Sequence, residues 1–235
     1  MAVNIDDVYQ QVLAIANKEQ RGYITPQEFN LIARRAQLQI FEEYFLDIKK
    51  AHLRPGNSSE ASDELEMLNE RISIFRQEFD LGRTGNAEYS MGLVHRLLNV
   101  YCKEDGSDLL KEVTEVDSRR FLTINVHPLS APTENHRVYY RLNAQTLKVV
   151  PNIPVDASLF IQSIRKPTDP KWGYVVIQEK ALYNPNTSFD FELHPSEEQN
   201  LVNRILELSG IAIKKPDLTA VAGGLIQRDK IEENN

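Results

Sequence analysis

The sequence predicts an α+β protein: N-terminal helices, an antiparallel β-sandwich or sheet, and a C-terminal helix with an extended tail. Three observations predict it. Apolar residues recur at helical spacing up to about residue 79, and six short runs rich in β-branched and aromatic residues fill the middle. A capped apolar helix and a polar tail then close the chain. The regions drawn from this pattern are 1–80 (helical), 81–193 (strand-rich), 194–213 (C-terminal helix and short extension) and 214–235 (tail).

The first helix opens after Asn4, with Asp6 and Asp7 beside its free N–H groups and Ile5, Val8, Tyr9, Val12, Ile15 and Ala16 on one face. Gly22 suits the left-handed position that ends a helix. "TPQE" starts the second, with Thr25 and Glu28 as a capping box and Pro26 at the first helical position. Its apolar stripe, Phe29 to Ile48, includes Phe41, Tyr44 and Phe45 and is wider than one partner helix needs. A third helix over "SDELEMLNERISIFRQEF" carries Leu65, Leu68, Ile72, Phe75 and Phe79 as a coiled-coil-like seam. Such stripes imply apolar helical surface left over for a neighbouring subunit.

"NKEQRGYITPQEF" also has the outline of a twelve-residue calcium loop, with Gly22 sixth, Ile24 eighth and Glu28 twelfth. The ligand positions argue against it. Arg21 stands where an oxygen donor belongs, and at about 4 Å and an effective dielectric near 20 each unit of like charge costs roughly 4 kcal/mol. Position one is Asn17, without the usual Asp. Helix-end chemistry accounts for Gly22, Thr25, Pro26 and Glu28 without a metal, so the segment reads as a helix hairpin.

"MGLVHRLLNVY" satisfies neither period cleanly and is read as a strand. "FLTINV", "RVYYRL", "TLKVV", "SLFIQSI", "YVVIQEKAL" and "SFDFEL" follow as short strands parted by Pro, Asn and Asp turn signals. The last helix starts at Pro195, or at Ser196 with Gln199 as a second capping box. Leu201, Ile205 and Leu208 form its inner face and Gly210 ends it. The tail beyond is expected to be disordered alone or to dock on a neighbour.

Signals for chemistry are few. The five histidines show no metal-ligand spacing, and His127 and His194 precede prolines as turn residues do. No phosphate-cradling glycine loop, dinucleotide fingerprint or nucleophile elbow is present, so no cofactor, metal or catalytic residue is assigned. Cys102, the single cysteine, reads as a small core residue. The densest local signal is "SIRKPTDPKWGY". Arg165, Lys166 and Trp172 flank a proline-stiffened connection that reads as a rigid anchor between strands or as a protein-docking loop.

The totals narrow the class. The chain has 235 residues, 41% hydrophobic and 26% charged, and a net charge of −7 that argues against a broad basic surface for nucleic acid. One cysteine allows no intrachain disulfide, and no segment has transmembrane or signal-peptide character, so synthesis in a cytoplasm and no membrane partner are expected.

Three phrases in order carry a resemblance: "VLAIANKEQRGYITPQEFNLIARRAQLQIFEEYF", "HRVYYRL…LKVVPNIPVDASLFIQSIRKPTDPKWGY" and "DFELHPSEEQNLVNRILELSGIAI". Together they resemble the head–tail adaptor or neck ring proteins of tailed bacteriophages, of the kind seen in crAss-like and other short-tailed phages. The resemblance implies a virion protein at the head–tail junction, assembled in the host bacterial cytoplasm. It further implies a homo-oligomeric ring, often of twelve copies, contacting the portal protein and other neck or tail proteins, with double-stranded DNA in transit through the bore. No catalytic residue comes with it. The stretch "GNAEYSMGLVHRLLNVYCKEDG" departs from the clearer leucine–proline entry into the sheet that the resemblance implies, which leaves the layout of residues 80–115 open. Competing readings are a calcium-responsive helix–loop–helix module built on Asn17–Glu28 and a surface-polymer hydrolase using scattered carboxylates.

Overall fold

A computed structural model describes residues 2–18, 24–53, 59–83, 85, 87–92, 94–104, 109–154 and 157–212. The helices are α1 (Ile5–Lys18), α2 (Pro26–Leu53), α3 (Ser59–Ser73), α4 (Ser118–Val126) and α5 (Glu198–Ala212). The strands are β1 (Arg76–Asp80), β2 (Gly82–Arg83), β3 (Glu88–Ser90), β4 (Arg96–Lys103), β5 (Leu110–Glu112), β6 (Thr114–Glu115), β7 (Val138–Arg141), β8 (Thr146–Val150), β9 (Ser158–Ile164), β10 (Tyr174–Ile177) and β11 (Lys180–Tyr183). The class is α+β, with N-terminal helices and a C-terminal helix. Two compact units contain them: Phe75–Lys166, and everything before and after that stretch. Residues 167–193, grouped by pattern with the strands, thus belong with the helices.

In the helical unit the expected caps form. The Asn4 Oδ1 accepts the Asp6 and Asp7 N–H groups at 2.8 and 3.4 Å. At α2 the Thr25 N–H donates to Glu28 Oε2 at 3.0 Å while Glu28 N–H donates to Thr25 Oγ1 at 3.3 Å, a reciprocal capping box. Helix α2 packs on α3 and α5, and α1 on α5. Two ion pairs fix this packing. Arg204 of α5 donates to both oxygens of Glu43 on α2, at 2.9 and 2.8 Å. Arg71 of α3 meets the buried Glu197 at 2.9 Å, and Asn200 donates to the other Glu197 oxygen.

The stripes are covered by this packing, contrary to the expectation of leftover surface. Phe29, Ala33, Ala36, Ile40, Phe41 and Tyr44 are buried, as are Leu68 and Ile72, while Ile32, Phe45, Ile48 and Leu65 are half-buried. The extra width is used by the chain's own α3 and α5. Helix α5 also runs through Gly210 to Ala212, where Gly210 was expected to end it. Ahead of it, Pro195–Glu197 make one 3-10 turn that His194 caps, its Nδ1 accepting the Ser196 N–H at 3.3 Å.

The strand-rich unit holds two sheets, in the orders β1-β9-β4-β5 and β2-β3-β8-β7-β6. Their inner faces share one core, with Val100, Cys102, Leu159 and Ile161 from the first and Tyr89, Tyr139, Leu147 and Val149 from the second. That is sandwich packing. Pairing is antiparallel except for β6 with β7, which is parallel. Burial pushes the Cys102 thiol up, as befits a core residue. "RLLNVY" is a strand, β4, with a bulge between Leu97 and Asn99.

Four expected elements differ. Helix α3 stops at Ser73, and Phe79 lies on β1, paired with Ile161 of β9. Ile72, Phe75 and Phe79 happen to fit helical spacing, but Arg76–Asp80 alternates in burial as an edge strand does. "FLTINV" is part of α4, whose Phe121 stacks on Tyr140 of β7 at 4.7 Å; its β-branched residues mimic a strand. "YVVIQEKAL" is two strands and a turn, β10 and β11. "SFDFEL" makes only isolated bridges, Lys171 with Phe189 and Val3 with Phe191.

Two predictions follow from the packing. Glu197→Ala leaves Arg71 without its buried carboxylate and should cost about 3 kcal/mol in the unfolding of the helical unit, read from urea denaturation. In the other unit, burial and then the Glu115 charge push the Tyr139 phenol up, and burial and then Glu78 push Tyr101 up to about 12. These phenols keep their protons in the folded state above pH ~10, where unfolded tyrosines lose them. Their stabilisation is therefore complete below pH ~10 and is lost as pH rises through the folded-state values, about 12 for Tyr101 and higher for Tyr139. Tyr139→Phe should flatten that alkaline slope in a pH series of urea midpoints.

Candidate functional site: a hairpin held on a buried tryptophan

The connection after β9 is bound to α2 by side-chain amides. Gln37, buried on the core face, donates from Nε2 to the Thr168 carbonyl at 2.7 Å and accepts the Glu192 N–H at 3.0 Å. Two turns earlier Asn30 accepts the Trp172 N–H at 2.7 Å and donates to the Trp172 carbonyl at 3.2 Å. Asn30 and Gln37 thus give an extended segment the pairing that a neighbouring strand would supply. The Glu192 carboxylate accepts both the Thr168 N–H and hydroxyl, and Arg34 meets Asp169 at 2.9 Å on the surface.

Trp172 is the centre of this arrangement, buried to 2% exposure. Its indole lies 4.3 Å from the Tyr9 ring of α1 and 5.8 Å from both Tyr174 and Tyr183, the facing pair at the base of β10–β11. Its Nε1–H donates to Asp6 Oδ1 at 2.9 Å, so the polar edge of the ring is served as it enters the core. Tyr9 in turn meets Phe29 of α2 edge-on at 4.7 Å. Next door, Gly173 has no room for a side chain, since a Cβ there would lie 2.7 Å from the Thr187 backbone carbon.

Beyond this base the hairpin leaves its apolar residues in solvent. Val175, Val176, Ile177 and Leu182 are 47%, 62%, 54% and 50% exposed, and Phe189 beside the base is 56% exposed. Directly facing pairs share a side, so Val175, Leu182 and Ile177 line one face while Tyr174, Tyr183, Val176 and Ala181 line the other. The two-residue turn has positive φ at both Gln178 (49°) and Glu179 (62°), the primed geometry that Asn-Gly fills without strain.

The residues singled out by sequence fall into two groups. Trp172, Phe41 and Tyr44 are core, and Phe45, half-buried, meets Phe41 edge-on at 5.1 Å. Arg165 is half-buried, its N–H donating to the Phe75 carbonyl at 2.9 Å, and Lys166 is exposed; both belong to the strand-rich unit. The exposed hairpin residues escaped notice because a run like "YVVI" reads as buried strand. Gln37 did leave a signal: a polar residue inside an apolar stripe.

Of the calcium-loop outline, 19–23 lie outside the described residues, and Glu28 is engaged by the Thr25 cap. The Thr25 backbone and then its hydroxyl hold the Glu28 carboxyl below its usual range. Among the described residues no group of three or more His, Cys, Asp or Glu side chains is placed to hold a metal ion, and no helix is long and apolar enough to cross a membrane.

Fold and site together define an α+β protein with a rigidly based, apolar β-hairpin. Compared with known proteins, the chain matches no family model and no curated sequence.

The strained turn gives a direct prediction. Replacing Gln178–Glu179 by Asn-Gly removes two unfavourable left-handed residues at about 1 kcal/mol each. It should raise the stability of the helical unit by about 1–2 kcal/mol in urea unfolding.

Proposed function

We propose that this chain is a structural protein of a tailed-phage virion, working in several copies as a ring at the head–tail junction. In this reading it joins the portal to other neck or tail proteins and lets double-stranded DNA pass. The observation that carries it is the exposure of Val175, Val176, Ile177 and Leu182 on a hairpin whose base is rigidly fixed. An apolar surface presented on a rigid element loses little conformational entropy on docking, which is what a permanent protein–protein contact needs. The three sequence phrases that resemble those of neck ring proteins suggest the class of assembly. Contacts between copies are assigned to the hairpin and its surroundings, because the α2 and α3 stripes are already covered.

The test is the mass of the full chain in solution, alone and mixed with the portal protein of the same phage, by light scattering. Assemblies of many copies are expected, formed alone or on the portal. Val176→Glu combined with Leu182→Glu should weaken assembly at least tenfold while leaving the urea midpoint in place. A chain that stays monomeric at every concentration, with portal present, overturns the ring.

A further inference from the structure

We propose a contact between copies of this chain that the reading above leaves unassigned: the outward face of α4 in one copy packs on the outward face of α3 in the next. It rests on that reading only in that copies associate.

Helix α4 is held from one side. Phe121, stacked on Tyr140 of β7, and Ile124 are half-buried, and no residue of the helix is fully buried. At about 100° per residue, Arg119, Leu122 and Val126 fall opposite those two. Leu122 and Val126 are 68% and 76% exposed, and Leu129 in the turn beyond is wholly exposed. A helix of nine residues is marginal by itself, so one aromatic contact and a bare apolar face leave it short of cover. Its first turn adds Arg119 and Arg120 and no acidic residue. Neither arginine forms an ion pair among the described residues, and the helix dipole disfavours cations at that end. An acidic partner relieves both.

Helix α3 supplies the matching surface. Its covered stripe is Leu65, Leu68 and Ile72, and the opposite side shows Asp63, Glu66, Met67 and Glu70, all exposed. None of these three carboxylates forms an ion pair among the described residues. Met67 thus sits in an acidic ridge, and Leu122 sits beside two arginines. Leu122 against Met67 makes an apolar centre, with Arg119 and Arg120 paired to Glu66 and Glu70 at its edge. Charge divides the same way at large. Of the net −7, the strand-rich unit contributes +1, from 12 basic and 11 acidic residues, and the helical unit −8, from 15 and 23. Strand-rich unit on helical unit is therefore the favourable pairing between copies, whereas two helical units repel. Because the two faces differ, the contact runs head to tail and either closes into a ring or continues as an open string.

The test uses two full-length variants and light scattering, alone and with the portal protein. One carries Arg119→Glu and Arg120→Glu, the other Glu66→Arg and Glu70→Arg. All four positions are exposed, so the urea midpoint should stay in place. Each variant by itself should associate at least tenfold more weakly than the unaltered chain, because like charges then meet across the contact. A one-to-one mixture should recover association, since every α4 face finds an oppositely charged α3 face on the other variant. Variants that associate as the unaltered chain does overturn the proposal, and so does a mixture that fails to recover. Recovery only when all four changes share one chain places the contact inside a copy and overturns it too. Mass separates this from the ring. A recovered mixture whose mass climbs without limit keeps the contact and removes the closed ring. Closed assemblies formed by each variant alone do the reverse, and an unaltered chain that stays monomeric removes both.

Discussion

The helical unit depends on how one indole is buried. Trp172 can leave water only if its ring N–H and the backbone on either side find partners, since an unserved polar group in a core costs about 1–3 kcal/mol. Asp6 serves the ring and Asn30 serves the backbone, so a single residue draws α1, α2 and the base of β10–β11 to one point. The tyrosines around it, Tyr9, Tyr174 and Tyr183, turn that point into an aromatic cluster. Gly173 follows from the same constraint, because the chain passes too near Thr187 to carry a side chain.

What the indole fixes, the amides extend. Gln37 and Asn30 let α2 accept the extended segment from Thr168 to Trp172 as if the helix were a sheet edge, and this frees the hairpin beyond from any need to pack sideways. Its exposed valines, Ile177 and Leu182 are thus a consequence of where the fixation ends. The wide stripe of α2 has a different outcome. Its far side receives α3 and α5, with Arg204–Glu43 and Arg71–Glu197 setting their positions, so the broadest apolar surface in the sequence is consumed within the unit.

Much of this was legible where local chemistry decides. The Asn4 cap, the Thr25–Glu28 box, the α+β class and strands such as β7, β8 and β9 follow from spacing and capping alone. Legibility failed where two periods coincide or where partners come from far along the chain. Phe79 fits both a helical seam and an edge strand, and pairing with β9, some eighty residues away, decides it. Thr123, Ile124 and Val126 look like strand residues but sit in α4. Gln178–Glu179 lacks the Asn or Gly that announces a primed turn, so one strand hid two. At the site, Trp172 was visible as an anchor, but its burial was not, because Asp6 and Asn30 are distant in sequence and carry no mark of their role.

Trp172 is the only tryptophan in the chain, which makes it a native reporter of its own burial. The decisive measurement is acrylamide quenching of tryptophan fluorescence, made on dilute, unassociated protein and again after association. A hairpin base that is fixed before any partner arrives gives blue-shifted emission and equally weak quenching in both samples. Strong quenching in the dilute protein that disappears only on association would mean that partners create the anchor, and would contradict the account.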